Sequence, residues 1–218
     1  MSKKIAIILS GCGFKDGAEI HESVLTLLAV VKAGAQPIFF APNTNQATVT
    51  NHINNDSTGE IRNVLVESSR IARGDIQDVK TLKANNVDAV IFPGGYGAAL
   101  NLCNFAQKGP DCDVNSDIQK VIEEFFAAKK TMGFICIAPA LAARVLGKHG
   151  ISLTIGTDAG TAQAIEKMGA KHQNCAVDEI CVDEKNKVVS TPAYMLAKNI
   201  SEAELGISKL VKKVISLT

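Results

Sequence analysis

A mostly parallel α/β sheet with helices on both faces, closed by an antiparallel hairpin, is the fold class this sequence predicts. Short apolar runs at residues 5–9, 37–40, 89–92 and 132–135 alternate with longer segments of helical periodicity. Continuous apolar strands separated by helices belong to a parallel sheet buried on both sides. The tail changes character: residues 179–183 and 188–190 flank the polar Glu184-Lys-Asn-Lys187, the pattern of a hairpin. A chain of 218 residues with 46% hydrophobic content can bury a core of its own, and one domain over residues 1–218 suffices.

The elements follow in order. The run at 5–9 holds five apolar residues before Ser10-Gly11, a strand too short for a signal-peptide core or a membrane span. Residues 18–32 read as a helix whose inward stripe is Ile20, Val24, Leu27, Leu28 and Val31, stopping at Ala33-Gly34. Residues 43–60, rich in Asn and Thr, form a polar surface excursion. Helices follow at 62–72 and at 114–129, the latter capped by Asp113. The strand at 132–135 runs into Cys136 and a helix opening at Pro139, since proline is tolerated in the first helical turn. A closing helix at 200–217 turns Leu205, Leu210, Val211 and Val214 inward.

Net charge is +1, with lysines scattered apart from the pairs 129–130 and 212–213, each near a helical C-terminus where cations suit the dipole. No nucleic-acid or membrane partner is expected. Six cysteines without CxxC spacing, in a chain too large to need a disulfide framework, read as reduced thiols and a cytoplasmic location. Cys103, Cys112, Cys175 and Cys181 lack partners at metal spacing and read as structural, so no metal and no cofactor is expected.

Ligands of open parallel sheets bind beyond the carboxyl ends of the strands. After the first run comes Ser10-Gly-Cys-Gly13, leading to Asp16-Gly-Ala-Glu-Ile-His-Glu22; after another comes Pro93-Gly-Gly-Tyr-Gly97; after a third comes Cys136. A thiol at a strand-turn-helix apex meets unpaired N–H groups and the positive end of a helix, which favour a nucleophilic thiolate. The same cysteine can equally be a small buried hydrophobe. The glycine loop could bring backbone N–H groups to a bound oxygen, or need glycine only for its turn. No Gly-Lys-Ser/Thr follows, which excludes a P-loop. Glu19 reads as an anion suited to a helix N-terminus. Glu22, flanked by Ile20 and Val24 of the predicted inward stripe, reads as a partly desolvated carboxyl with a raised pKa, able to exchange protons with a thiol. Cys12 is either a second reactive thiol or a small loop residue, and His21 flanks Glu22. His52, His149 and His172 sit in polar contexts and are expected to be exposed.

Together, Gly133-Phe-Ile-Cys136-Ile-Ala-Pro139, the Pro93–Gly97 loop and Glu22 resemble the PfpI-like, class I glutamine amidotransferase-like superfamily. Within it, the opening Ile-Leu-Ser-Gly-Cys-Gly-Phe-Lys-Asp-Gly-Ala-Glu-Ile-His-Glu, the Asn-Phe-Ala after the glycine loop, Thr154-Ile-Gly-Thr-Asp158 and Ser190-Thr-Pro-Ala-Tyr-Met195 resemble the ElbB glyoxalase family, also labelled isoprenoid biosynthesis protein with amidotransferase-like domain. The resemblance runs end to end. It implies a flavodoxin-like three-layer α/β/α sandwich, a homodimer, Cys136 as nucleophile and Glu22 as its hydrogen-bonding acid. It also implies that Gly94 and Gly95 offer amides to a bound oxygen and brings the Ser190-Thr191-Pro192 turn near the site; Ile137 and Cys12 are further candidates for substrate contact. Two departures stand out: Ile137 follows the elbow cysteine where some relatives have histidine, and the strand end where others supply histidine reads Leu153-Thr-Ile-Gly156. Asp158, two residues beyond, is the remaining candidate for that role.

Glutamine hydrolysis wants a cysteine, a base that protonates the leaving ammonia, and a group that orients the base. Without a candidate histidine, amidotransferase activity is not expected. The expected activity is that of a cofactor-independent glyoxalase-type lyase, weak because one carboxyl serves several proton transfers. It converts glyoxal, or another small dicarbonyl, to the hydroxy acid through a cysteine hemithioacetal, with apparent deglycation as a by-product. The alternatives are a redox sensor built on Cys136 or a non-enzymatic binding protein. No Asp-rich diphosphate-binding motif supports a prenyl substrate.

Overall fold

The computed structural model describes residues 2–218. Its strands are β1 (Lys4–Ile8), β2 (Gln36–Ala41), β3 (Ile76–Asp78), β4 (Ala89–Phe92), β5 (Thr131–Ile135), β6 (Ser152–Leu153), β7 (Lys171–His172), β8 (Cys181–Asp183) and β9 (Val188–Thr191). Its helices are α1 (Ile20–Lys32), α2 (Val64–Ile71), α3 (Tyr96–Leu100), α4 (Phe105–Lys108), α5 (Ser116–Ala127), α6 (Pro139–Leu146), α7 (Ala159–Lys167) and α8 (Ile200–Ser216). Seven strands form one sheet in the order β3-β2-β1-β4-β5-β9-β8. All neighbours run parallel except β8, which pairs antiparallel with β9. The return strand of the hairpin lies beside β5, with Phe134 opposite Ser190, so it is part of the main sheet.

Because successive side chains of a strand point to opposite faces, the sheet builds two cores. Ile5, Ile7, Ile91 and Val189 meet Val30 of α1 and Ile207, Leu210 and Val214 of α8 on one face. On the other face Ile8, Val90, Phe92 and Phe134 meet Ile118, Ile122 and Phe125 of α5 and Leu141 of α6. The rings of Phe92 and Phe134 stack at 4.9 Å between centroids. This is the predicted flavodoxin-like three-layer sandwich. Pairing of β6 with β7 makes a separate small ribbon that the sequence reading left out.

Helix α1 departs from its predicted orientation. Ile20, Val24, Leu28 and Val31 are 42–52% exposed, whereas Glu22, Ser23, Thr26 and Val30 face the core. Polar side chains can occupy that face because they are satisfied within the helix: Ser23 Oγ donates to the Glu19 carbonyl and Thr26 Oγ1 to the Glu22 carbonyl, each at 2.7 Å. Leu205 of α8 is likewise exposed, while Leu210, Val211 and Val214 are buried. The cap of α5 is Asn115, which accepts from Asp117 N and Ile118 N, and not Asp113. Asp113 instead pairs with Lys108 and the Asn104 side chain. The excursion is polar and fully exposed over residues 51–60. It is anchored where Asp16 Oδ2 accepts from Thr50 N at 2.7 Å.

Candidate active site

Three consecutive strand ends of the sheet converge on one point. Strand β5 ends at Cys136, whose φ of +62° is left-handed, a conformation that costs a non-glycine residue about 1–3 kcal/mol. Two hydrogen bonds hold it there: Cys136 N donates to the Thr191 carbonyl at 2.9 Å, and Ala138 N closes the turn on the Ile135 carbonyl at 3.0 Å. Helix α6 then starts at Pro139. The strained turn lifts the thiol out of the strand and leaves it 8% exposed.

Helix α1 delivers Glu22, which has no solvent exposure. Its Oε2 accepts from Gly94 N at 2.9 Å and its Oε1 from Tyr194 N at 3.2 Å, and the carboxyl and the Cys136 thiol lie together against Gly94. Burial pushes the Glu22 carboxyl up to about 8, reinforced by the negative charge of Glu19 and opposed by the amides of Tyr194 and Gly94 and by the thiol. Burial also pushes the Cys136 thiol up, with the Glu22 charge adding to it, while the amides of Gly95 and Ile137 pull the other way. At neutral pH the pair therefore rests as carboxylic acid and thiol. The free thiolate expected from the helix dipole is corrected on this point: withdrawal from water outweighs the amides.

Gly94 and Gly95 have separate tasks. A Cβ on Gly94 would lie 2.5 Å from Cys136 Cβ and 2.7 Å from Glu22 Oε2, so only glycine lets the thiol and carboxyl meet. The Gly94 amide, which the resemblance assigns to a bound oxygen, donates to Glu22 Oε2 in this structure. Gly95 sits at φ +92°, and a Cβ there would come within 2.4 Å of Glu19 N. Its amide and that of Ile137 are the two backbone groups that favour the thiolate form of Cys136.

The sulfur opens into a cavity of about 490 Å³ lined by Phe14, Glu19, Tyr96, Phe105, Ile137 and Met195 among others. Glu19 is the N-cap of α1, its carboxylate accepting from Glu22 N at 2.6 Å, and burial raises its pKa. Ser190 and Thr191 lie behind the site with fully buried side chains: Ser190 Oγ accepts from Thr154 N at 2.8 Å and Thr191 Oγ1 donates to the Glu179 carbonyl at 2.9 Å. Only the Thr191 carbonyl touches the elbow. Cys12 is half-buried outside the cavity lining, its pKa raised by burial and then by Glu67.

None of the histidines lines the cavity. His21 Nδ1 is 2.8 Å from the Tyr194 hydroxyl, and His149 packs at 4.5 Å on Phe126. His52 lies against Phe14, and His172, half-buried where exposure was expected, accepts from Ile155 N at 3.3 Å. Asp158 is the N-cap of α7, accepting from Thr161 N at 2.8 Å, a bond that holds its pKa down. It supplies no base to the site. Tyr194, Phe105 and Thr161 also reach the cavity: Phe105 and Tyr194 stand in motifs that carry the resemblance but have no site role assigned there, and Thr161 lies outside them. The Tyr194 amide follows Ala193, whose φ of +43° no residue pattern announced.

No protein-family model matches the chain. The human "Glutamine amidotransferase-like class 1 domain-containing protein 3, mitochondrial" is 48% identical over 99% of this chain and 83% of its own length. The rat "ES1 protein homolog, mitochondrial" is 47% identical over 99% of this chain and 84% of its own. An Ehrlichia chaffeensis "isoprenoid biosynthesis protein with amidotransferase-like domain" superposes with a TM-score of 0.93 at 35% identity, covering 99% of both chains. A ThiJ/PfpI domain protein of Brachyspira murdochii shares the fold, with a TM-score of 0.61 at 15% identity. The names of the rat and human relatives correct the expected cytoplasmic location and point to mitochondria. Six free thiols exclude a disulfide framework without distinguishing one reducing compartment from another. The sequence relatives and the end-to-end superposition lead to one assignment: this chain belongs to the ES1 and ElbB-like family of the class I glutamine amidotransferase-like superfamily.

Proposed function

We propose that this protein is a cofactor-independent glyoxalase-like enzyme that converts glyoxal to glycolate through a covalent intermediate on Cys136. The observation that carries the reading is the buried Glu22 carboxyl, anchored by the Gly94 and Tyr194 amides beside a Cys136 that lines a cavity, with a pKa pushed up to about 8. A group that titrates near neutrality can both give and take a proton, as an isomerisation requires.

The sulfur adds to one aldehyde carbon as the Glu22 carboxylic acid protonates the carbonyl oxygen and the thiol proton leaves to solvent, giving a hemithioacetal and the Glu22 carboxylate, which recovers a solvent proton when the cycle closes. The developing oxygen charge is met by the amides of Gly95 and Ile137. Glu22, as carboxylate, then removes the C–H proton to form an enediol and returns it to the neighbouring carbon. The product is a thioester of glycolate, which water hydrolyses to glycolate and free Cys136. One water is consumed and no electrons leave the system. Consumption of free dicarbonyl gives apparent deglycation as a by-product.

Glutamine hydrolysis is disfavoured because no histidine or other base reaches the thiol besides Glu22. The sensor alternative draws on a low-pKa thiol, and burial moves Cys136 in the opposite direction. We further propose a homodimer, supported by the apolar stripe Ile20, Val24, Leu28 and Val31 that α1 leaves exposed.

The test is glycolate formation from glyoxal by wild-type protein and by Cys136→Ala, with the product measured directly. Turnover lost in the variant supports the reading; equal turnover in both proteins, or none in either, rejects it.

A further inference from the structure

The cavity in front of Cys136 is far larger than glyoxal requires, and its chemistry is one-sided. Aromatic and aliphatic side chains make most of its wall: Phe14, Tyr96, Phe105, Ile137 and Met195. Among the described residues no lysine, arginine or histidine lines it, and the one ionisable carboxyl on the wall is Glu19. Behind Glu19 stands Glu22, held within the same first turn of α1. A substrate carboxylate would enter without a counter-ion and face these two acids, whereas a neutral molecule would replace water on an apolar wall.

From the lining of this cavity we infer that the enzyme acts on uncharged 2-oxoaldehydes bearing an aromatic or bulky apolar substituent, and excludes carboxylate-bearing carbonyl compounds. The inference rests on the proposed glyoxalase reading for its chemistry and on the cavity alone for its selectivity. With phenylglyoxal the steps balance as for glyoxal. Sulfur adds to the aldehyde carbon, the C–H proton moves to the benzylic carbon, and water releases mandelate. Phe105, contributed by α4 and half-buried against the core, is the residue that flanks the apolar substituent. The same one-sidedness gives a second reason against glutamine, whose α-carboxylate would have no cation to meet.

Two arms test this and separate it from the parent reading. In the first, kcat/KM for phenylglyoxal, followed as mandelate, should exceed that for glyoxal, followed as glycolate, by about tenfold or more. The ratio should fall in Phe105→Ala, and glyoxylate should not be consumed. The second arm needs no turnover: protection of Cys136 from iodoacetamide is compared for mandelamide and mandelate, which differ in charge at nearly equal shape. The neutral amide should protect at about a tenfold lower concentration. Equal or better protection by mandelate, or a preference for glyoxal over phenylglyoxal, overturns the inference. If neither hydroxy acid forms from its aldehyde, the glyoxalase reading falls while the protection arm still decides the selectivity of the cavity.

Discussion

Replacing Glu22 by glutamine should change how the stability of the whole fold responds to pH. Glu22 has no solvent exposure, and burial carries its carboxyl from an ordinary 4.5 to about 8. At about 1.4 kcal/mol per pH unit, the folded state therefore disfavours the charged form by about 5 kcal/mol. Below pH 4.5 the folded and unfolded chains both hold the proton, and Glu22 has no pH effect. Between 4.5 and 8 the unfolded chain releases a proton that the folded chain keeps, so stability falls as pH rises. From roughly pH 5 to pH 8 the loss comes to about 4 kcal/mol. Cys136 titrates above this window, and the raised pKa of Glu19 is common to both proteins and cancels in their difference.

Glutamine cannot titrate, and its amide nitrogen leaves either the Gly94 or the Tyr194 N–H without an acceptor. That penalty is about 1–3 kcal/mol and independent of pH. Urea unfolding at three pH values across the window should show wild type ahead of Glu22→Gln in acid and the variant level or ahead near pH 8. Parallel stability profiles would refute the reasoning, because they would mean that Glu22 ionises as freely in the fold as in the unfolded chain.

Other consequences follow from single contacts. Gly94→Ala places a methyl 2.5 Å from Cys136 Cβ, so the thiol and carboxyl must part. Turnover should drop by about a hundredfold with a stability loss of about 1–3 kcal/mol, and retention of wild-type kcat would contradict the wedge role given to Gly94. Phe92→Ala removes one ring of the 4.9 Å stack between β4 and β5 and should lower unfolding free energy by about 3–5 kcal/mol, measured in urea. A charge pair in the α1 stripe, Val24→Glu with Leu28→Glu, should convert the proposed dimer to a folded monomer in sedimentation velocity. An unchanged dimer would place the interface elsewhere.

The parallel sheet was readable because its strands are buried on both faces and so carry unbroken apolar runs such as 89–92 and 132–135. The elbow was readable because Pro139 marks a helix start directly after such a run. Helix α1 was misread for a definite reason. Its inward face holds Glu22, Ser23 and Thr26, whose polar atoms are satisfied locally or by the Gly94 and Tyr194 amides, and periodicity alone cannot register that compensation. Glu22 was nevertheless singled out, partly from an inward stripe that in fact faces outward and partly from family resemblance. Its enclosure is deeper than the edge position foreseen. The low thiol pKa failed similarly: the dipole argument is local, whereas desolvation is set by chain brought in from α1 and from the turn after β9. Tyr194 was out of reach because its contribution is a backbone amide, placed by the left-handed residue before it.

The most direct test of the central claim, that Glu22 moves protons for an intermediate held on Cys136, is intact-mass analysis of wild type and Glu22→Gln after rapid mixing with glyoxal, with the modified residue located by fragmentation. The account predicts that the variant accumulates one glyoxal on Cys136 and forms no glycolate, while wild type returns to its unmodified mass as glycolate appears. Glycolate released by the variant at the wild-type rate, or glyoxal found only on surface lysines and arginines, would contradict it.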